Sequence, residues 1–246
     1  MKTNHPFTFT HTIIFLVVAL IVLTFVIQRG NIFQCHHAPD HVRVLLPGMK
    51  TKPVPKEITF HGCPPEGEGG DYQLNLLKNR VDEANYQQVK LESVLALEWP
   101  KEAERRKRAE WPERAKEEIS VNEGIPVSVE GYLLRIKEEG PESPNCKREE
   151  ADTRDFHIWL ASGPDEEQAH AVVVEATPRV RENHAGWTLS GIRSLIHDRK
   201  HVRVSGWLLF DQEHPDQVGK SRGTVWEIHP IMKIEVEQNG GWQAFE

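Results

Sequence analysis

The second half of the chain alternates. From Pro126, the run Val127-Ser128-Val129-Glu130-Gly131-Tyr132-Leu133 sets apolar and polar side chains on opposite faces, the period-two mark of a half-buried strand. Asp155-Phe156-His157-Ile158-Trp159-Leu160 repeats the pattern, and residues 170–176 (HAVVVEA) form a β-branched run that predicts a third strand. Over 187–197 the period lengthens. Leu189, Ile192, Leu195 and Ile196 fall at helical spacing, with Thr188 or Ser190 placed to cap the first turn. Two more strands are predicted over 201–210 and 224–236.

Three strands, one helix and two strands predict a mainly β domain over 123–238. Its expected form is a five-stranded OB-like Greek-key barrel with the helix between strands three and four, a five-stranded sandwich being the alternative. Gly131 and Gly206 stand inside strands, where a barrel strand must bend. Residues 239–246 read as a tail.

Upstream, the segment 73–122 reads as helical. Leu74, Leu77 and Val81 predict a short helix over 73–80. Glu98-Trp99-Pro100 is echoed by Glu110-Trp111-Pro112, each Pro suited to a first helical turn, so helices are predicted over 101–109 and 113–118. Their interleaved Glu, Lys and Arg cancel one another and describe a solvated pair, with Trp99 and Trp111 docking onto the main domain. Residues 31–72 form a Pro- and Gly-rich spacer.

The one long apolar stretch lies in residues 1–30. Ile13 to Ile27 carries no charge, and with Phe7 and Phe9 it approaches the ~20 residues needed to cross a bilayer. Membrane contact through residues 7–27 as a signal-anchor is the expectation; a secreted chain after signal-peptide cleavage is the alternative. No small-residue cleavage pattern precedes Gln28-Arg29-Gly30-Asn31. A single anchor followed by one soluble region places the C-terminal domain outside the cytoplasm.

Charge then narrows the partners. The chain has 30 Lys and Arg against 37 Asp and Glu, a net charge of -7. Phosphate neutralisation supplies most of the affinity of nucleic-acid binders, so a single-stranded nucleic-acid role ranks as a second alternative. A peptide, glycan or protein partner fits better. The 3 Cys make no disulfide scaffold. Cys146 reads as a free thiol in a polar loop, Cys35 and Cys63 as residues able to pair in an oxidising compartment. Cys35, His36, His37 and His41 could ligate a metal, against a plain juxtamembrane reading.

The fragments Val204-Ser205-Gly206-Trp207-Leu208-Leu209-Phe210-Asp211, Arg222-Gly223-Thr224-Val225-Trp226-Glu227-Ile228-His229-Pro230 and His61-Gly62-Cys63-Pro64-Pro65, with Leu76-Leu77-Lys78-Asn79-Arg80, resemble a family of uncharacterised bacterial exported proteins ending in a Trp-Glu-Ile-His-Pro strand. The resemblance spans roughly residues 60–237. It implies an OB-like fold and export, and it carries no activity.

Alternation also sorts the chemistry. The side chains opposing the apolar face include Tyr132, His157, Trp159, Trp207, Glu227 and His229, the candidate ligand-binding set. Bound by no motif spacing, His157, Asp211, His214, Glu227 and His229 form a candidate site for a divalent metal, since imidazole and carboxylate are its usual donors. Serine nucleophile elbows and phosphate-cradling glycine loops do not occur. The expected function is therefore a non-catalytic binding or structural module, with a metal-dependent hydrolase as the first alternative.

Overall fold

The computed structural model describes residues 59–246. The apolar stretch 7–27, the cluster Cys35, His36, His37 and His41, and most of the spacer lie outside the described residues. Among the described residues no helix is long and apolar enough to cross a membrane.

The elements in chain order are α1 (Tyr72–Lys78), β1 (Gln87–Val89), α2 (Leu91–Leu95), α3 (Glu113–Ser120), β2 (Pro126–Glu138), β3 (Phe156–Ala161), β4 (Val172–Ala176), α4 (Pro178–Arg181), α5 (Leu189–His197), β5 (His201–Phe210), β6 (Trp226–Gln238) and β7 (Gly241–Ala244). Five strands close on themselves in the order β2-β3-β4-β6-β5, with β5 returning to β2. Neighbours run antiparallel except β4 and β6, which are parallel. The long strand β2 makes closure possible, pairing with β5 through Tyr132 and with β3 from Tyr132 onward. At this corner a Cβ on Gly131 would stand 2.4 Å from the Ala161 carbonyl oxygen, so only glycine admits the bend. Gly206 serves likewise on β5, where the register with β6 shifts; a Cβ there would meet the Pro230 carbonyl oxygen at 2.3 Å.

The inward face follows the alternation. Val127, Val129, Ile158, Leu160, Val172, Val174, Val202, Val204 and Ile228 are each at most 1% exposed. Each such side chain contributes roughly 1.5–3 kcal/mol on leaving water. Every residue of β3 and β4 is nevertheless buried on both faces. A second apolar cluster of Trp159, Ala161, Ala171 and Val173 occupies part of the outer face, with Leu134 against it.

The rest of the cover comes from the stretch before β2. Helix α1 packs on β6 and on the tight turn Ser143–Asn145. Asp71 caps α1 through Gln73 and Leu74, and its second oxygen accepts from the backbone N–H of Arg108 and from Gln212 Nε2 at 3.2 Å. Asn79 donates to the carbonyls of Pro65 and Pro144, each at 2.8 Å. Arg179 donates to those of Cys63 and Pro64. A disulfide joins Cys63 to Cys146 across 83 positions. Cys146 is therefore not a free thiol, and Cys63 is not left for Cys35: the Ser143–Asn145 turn carries Cys146 to the loop around Cys63.

Two more expectations need correction. Residues 101–109 form no helix but two short 3-10 turns, Lys101–Ala103 and Arg108–Glu110. Tertiary bonds override the local propensity. Arg105 turns left-handed at φ 56° and gives its N–H to the Gln212 carbonyl at 2.7 Å. Arg108 is buried in a fork on Glu123, at 2.5 and 2.7 Å. Trp111 does dock, edge-on to Phe210 at 5.5 Å, while Trp99 stays half-buried. The tail holds a strand, β7, paired with β6.

Candidate functional site

The outer face of β3, β4 and β6 carries a polar patch. Position 157 on β3 lies opposite 175 on β4, and 173 opposite 227 on β6. His157, Glu175, Glu227 and His229 thus share one face, and Asp155 precedes β3 on the same side. These residues are no more than 9% exposed, and His229 is fully buried.

Their contacts form a connected set. His157 donates from Nδ1 to Glu139 Oε1 at 2.8 Å and from Nε2 to Glu175 Oε1 at 2.7 Å. Arg222, from the loop before β6, donates from Nη1 to Glu227 Oε1 at 2.7 Å and to Asp211 Oδ2 at 2.6 Å. Asp211 also meets His214 Nδ1 at 2.8 Å. Asn145 donates to Asp155 Oδ1 at 3.0 Å. His229 stands among three carboxylates: its Nδ1 is 3.2 Å from Glu175 Oε2 and 3.6 Å from Glu227 Oε2, and its Nε2 is 4.0 Å from Asp155 Oδ2. Lys78 of α1 reaches in between Glu142 at 3.5 Å and Glu213 at 3.9 Å.

Burial and charge pull these groups in opposite directions. Desolvation favours the neutral form of each, and for most the neighbours win. Burial works against a charged His157, but Glu175, Glu139 and Glu227 raise its pKa well above the ordinary value. Burial would lift Glu175, yet His157 and His229 bring it down to about 2. Glu227 is likewise held well below its usual range, mainly by Arg222 and His157. Asp155 goes the other way: burial, then the nearby Glu142, pushes it up to about 7.

The structure unites part of the sequence-predicted set. His157, Glu227 and His229 converge, and Asp211 and His214 join them at one remove through Arg222. The remaining candidates stand elsewhere. Trp159 lies beside His157, the rings 5.3 Å apart, and its Nε1 donates to the Ser221 carbonyl. Tyr132 sits at the corner of β2, its ring 5.1 Å from that of His201. Trp207 on β5 is 5% exposed, packed under Arg80 and Tyr86. Of the six expected ligand contacts, Trp159, Trp207, His157, Glu227 and His229 are buried and Tyr132 is half-buried: Arg80 and Tyr86, from the chain preceding β2, cover Trp207, while Glu139, Ser221 and Arg222, from the loops after β2 and before β6, close over His157, Trp159 and Glu227.

Sequence reasoning missed Glu175 and Asp155 as site members, together with their supports Glu139, Asn145 and Arg222. A signal for Glu175 existed: it is the one charge in an otherwise apolar strand, Val172–Ala176. Two overlapping sets, Asp155 with Glu175 and His229, and His157 with Glu175 and Glu227, have ligand atoms within 4.8 Å of one another. Such a set can hold a cation or share protons. No protein-family model, curated protein or solved structure matches the chain.

Proposed function

We propose that the chain is a non-catalytic binding module, built on an OB-type barrel and exposed outside the cytoplasm from an anchor at residues 7–27. The strand order β2-β3-β4-β6-β5, with its parallel β4–β6 pair and α4 and α5 between β4 and β5, supports the OB assignment. The Cys63–Cys146 disulfide supports export, since such bonds persist in oxidising compartments. It also supports the kinship suggested by the Trp-Glu-Ile-His-Pro strand with exported bacterial proteins.

One observation carries the non-catalytic reading: of the imidazoles and carboxylates that a hydrolase would present to substrate, His157, Asp211, Glu227 and His229 are packed away from solvent and His214 alone is half-exposed. Catalytic metal sites keep a position open to substrate, whereas structural ones are closed. A partner is left the loops between β2 and β3 and between β5 and β6, the usual recognition loops of this fold. Their exposed or half-exposed acids, Glu142, Glu213 and Asp216, favour a peptide, glycan or protein surface over a nucleic acid.

The test uses the full chain in its own membranes. Cells quenched in acid and treated with a thiol reagent should show Cys63 and Cys146 protected until a reductant is added. A photo-crosslinker at exposed Lys220 should capture a partner that one at Gln243 on β7 does not. Two reduced cysteines in the quenched cells would overturn export. Ester or phosphoester turnover lost in His229→Gln would overturn the non-catalytic reading in favour of the hydrolase.

A further inference from the structure

Three carboxylates around His229 share one arrangement. Each has one oxygen anchored by a donor and the other turned toward the His229 ring. Asn145 holds Asp155 Oδ1, His157 holds Glu175 Oε1 and Arg222 holds Glu227 Oε1. The second oxygens, Asp155 Oδ2, Glu175 Oε2 and Glu227 Oε2, stand 4.0, 3.2 and 3.6 Å from a nitrogen of His229. Asp155 Oδ2, Glu175 Oε2 and both His229 nitrogens are buried and make no hydrogen bond, although all three residues are 3% exposed or less. Buried polar atoms are nearly always hydrogen-bonded, and each one left over requires a reason.

From this we infer that Asp155, Glu175 and His229, joined by Glu227, form a closed binding site for a divalent first-row metal ion. Metal–ligand bonds of roughly 2.0–2.2 Å put neighbouring donor atoms roughly 3–4 Å apart; Glu175 Oε2 and Glu227 Oε2 stand at that distance from His229 Nδ1, and Asp155, Glu175 and His229 each offer a ligand atom within 4.8 Å of the others. Oxygen donors with one imidazole and no thiolate suit Mn²⁺ or Zn²⁺ rather than a soft ion. The supports are those of a metal centre: each ligating carboxylate is itself held by a donor, and His157 is oriented in turn by Glu139. The ligands come from β4, β6 and the residue entering β3, so an ion would rivet three strands on the face that α1 covers. Lys78, the nearest cation of α1, is countered by Glu142 and Glu213. Of the five expected metal ligands, His229 and Glu227 belong to this centre and His157 supports it through Glu175, whereas Asp211 and His214 fall outside it, behind Arg222. The site stands whether or not the binding role proposed above holds.

The experiment uses the full chain purified in detergent and carrying Cys35→Ser, His36→Ala, His37→Ala and His41→Ala, which removes the competing donors near the N-terminus. After chelator treatment and desalting, Mn²⁺ or Zn²⁺ is titrated and bound metal is measured by elemental analysis. The expected result is saturation at one ion per chain with a rise in melting temperature. Glu175→Gln and Asp155→Asn, near-isosteric changes, should abolish that binding, and Asn145→Ala should weaken it ~10–100-fold. His214→Ala should leave it intact. A second measurement needs no variant to fold: Co²⁺ bound by the otherwise unaltered protein should absorb as an ion with nitrogen and oxygen ligands and no thiolate charge transfer. Failure of either ion to bind stoichiometrically or to raise the melting temperature would overturn the site. So would binding undiminished in a folded Glu175→Gln protein, or a cobalt spectrum without a nitrogen ligand.

Discussion

Arg80 lies over Trp207, its guanidinium carbon 3.3 Å from the ring centroid. Tyr86 meets the same ring edge-on at 6.5 Å, and Asp82 holds the guanidinium at 3.0 and 2.6 Å. An indole that faces away from the barrel interior is thereby roofed by the chain's own upstream segment. Arg80→Ala should lower unfolding free energy by about 1–3 kcal/mol, part cation–π attraction and part lost packing of the arginine stem. It should also shift tryptophan emission to the red, and Arg80→Lys should do less of both. Urea titration followed by fluorescence reads both effects; an unchanged midpoint in Arg80→Ala would show that the roof stands without it.

Arg222 is buried between Asp211 and Glu227. Replacing it with Met keeps most of the volume but takes the guanidinium from two buried carboxylates, leaving Asp211 to His214 and Glu227 to the imidazoles of His157 and His229. Removing one partner of a buried pair costs about 3–5 kcal/mol. Arg222→Met should therefore be among the most destabilising single changes outside the hydrophobic core, and adding Asp211→Asn should restore part of the loss, a coupling visible in a double-mutant cycle.

The Cys63–Cys146 bridge closes a long loop. On the chain-entropy account a crosslink over 83 positions removes about 4–5 kcal/mol of freedom from the unfolded chain. Reduction, or the Cys63→Ser Cys146→Ser pair, should lower the urea midpoint by a corresponding amount. The fall should be independent of reductant in the double variant and dependent on it in the parent.

Asp71 links stability to pH. Burial alone would raise its pKa, but hydrogen bonds from the Arg108 backbone, the Gln212 side chain and the Leu74 backbone outweigh burial and hold it below the ordinary 3.8. A carboxyl depressed by folding contributes stability that is fully present above its unfolded value and is lost as pH falls through the folded one. The stability gap between the parent and Asp71→Asn should be constant from neutral pH down to about 4 and narrow on further acidification. Above that range, loss of the cap and the two long-range bonds should cost roughly 1–2 kcal/mol.

The barrel was legible because alternation is a local signal. Val127 and Val129, or Ile158 and Leu160, declare their face within a few residues, and Gly131 and Gly206 mark the bends. Features set by distant parts of the chain were not legible. Lys101 to Glu110 has the composition of a helix, yet Arg105 and Arg108 find better partners in Gln212 and Glu123. Strand β1 has three residues and exists because β2 offers an edge. The site was half legible: His157, Glu227 and His229 stood out as polar groups within strands, whereas Asp155 and Glu175 acquire meaning only when β3, β4 and β6 lie side by side. Exposure was the harder matter, since alternation says which way Trp207 and His157 turn but not what lies on top of them.

Residues 63 to 146 constitute a covalent ring. Proteolysis of any single peptide bond inside it severs the backbone while both pieces remain fastened to the same frame, so a nicked molecule would migrate as two fragments only once a reductant is present. A cut anywhere between α1 and β2 would therefore leave α1 tied, through Cys63 and Cys146, to the barrel against which it packs.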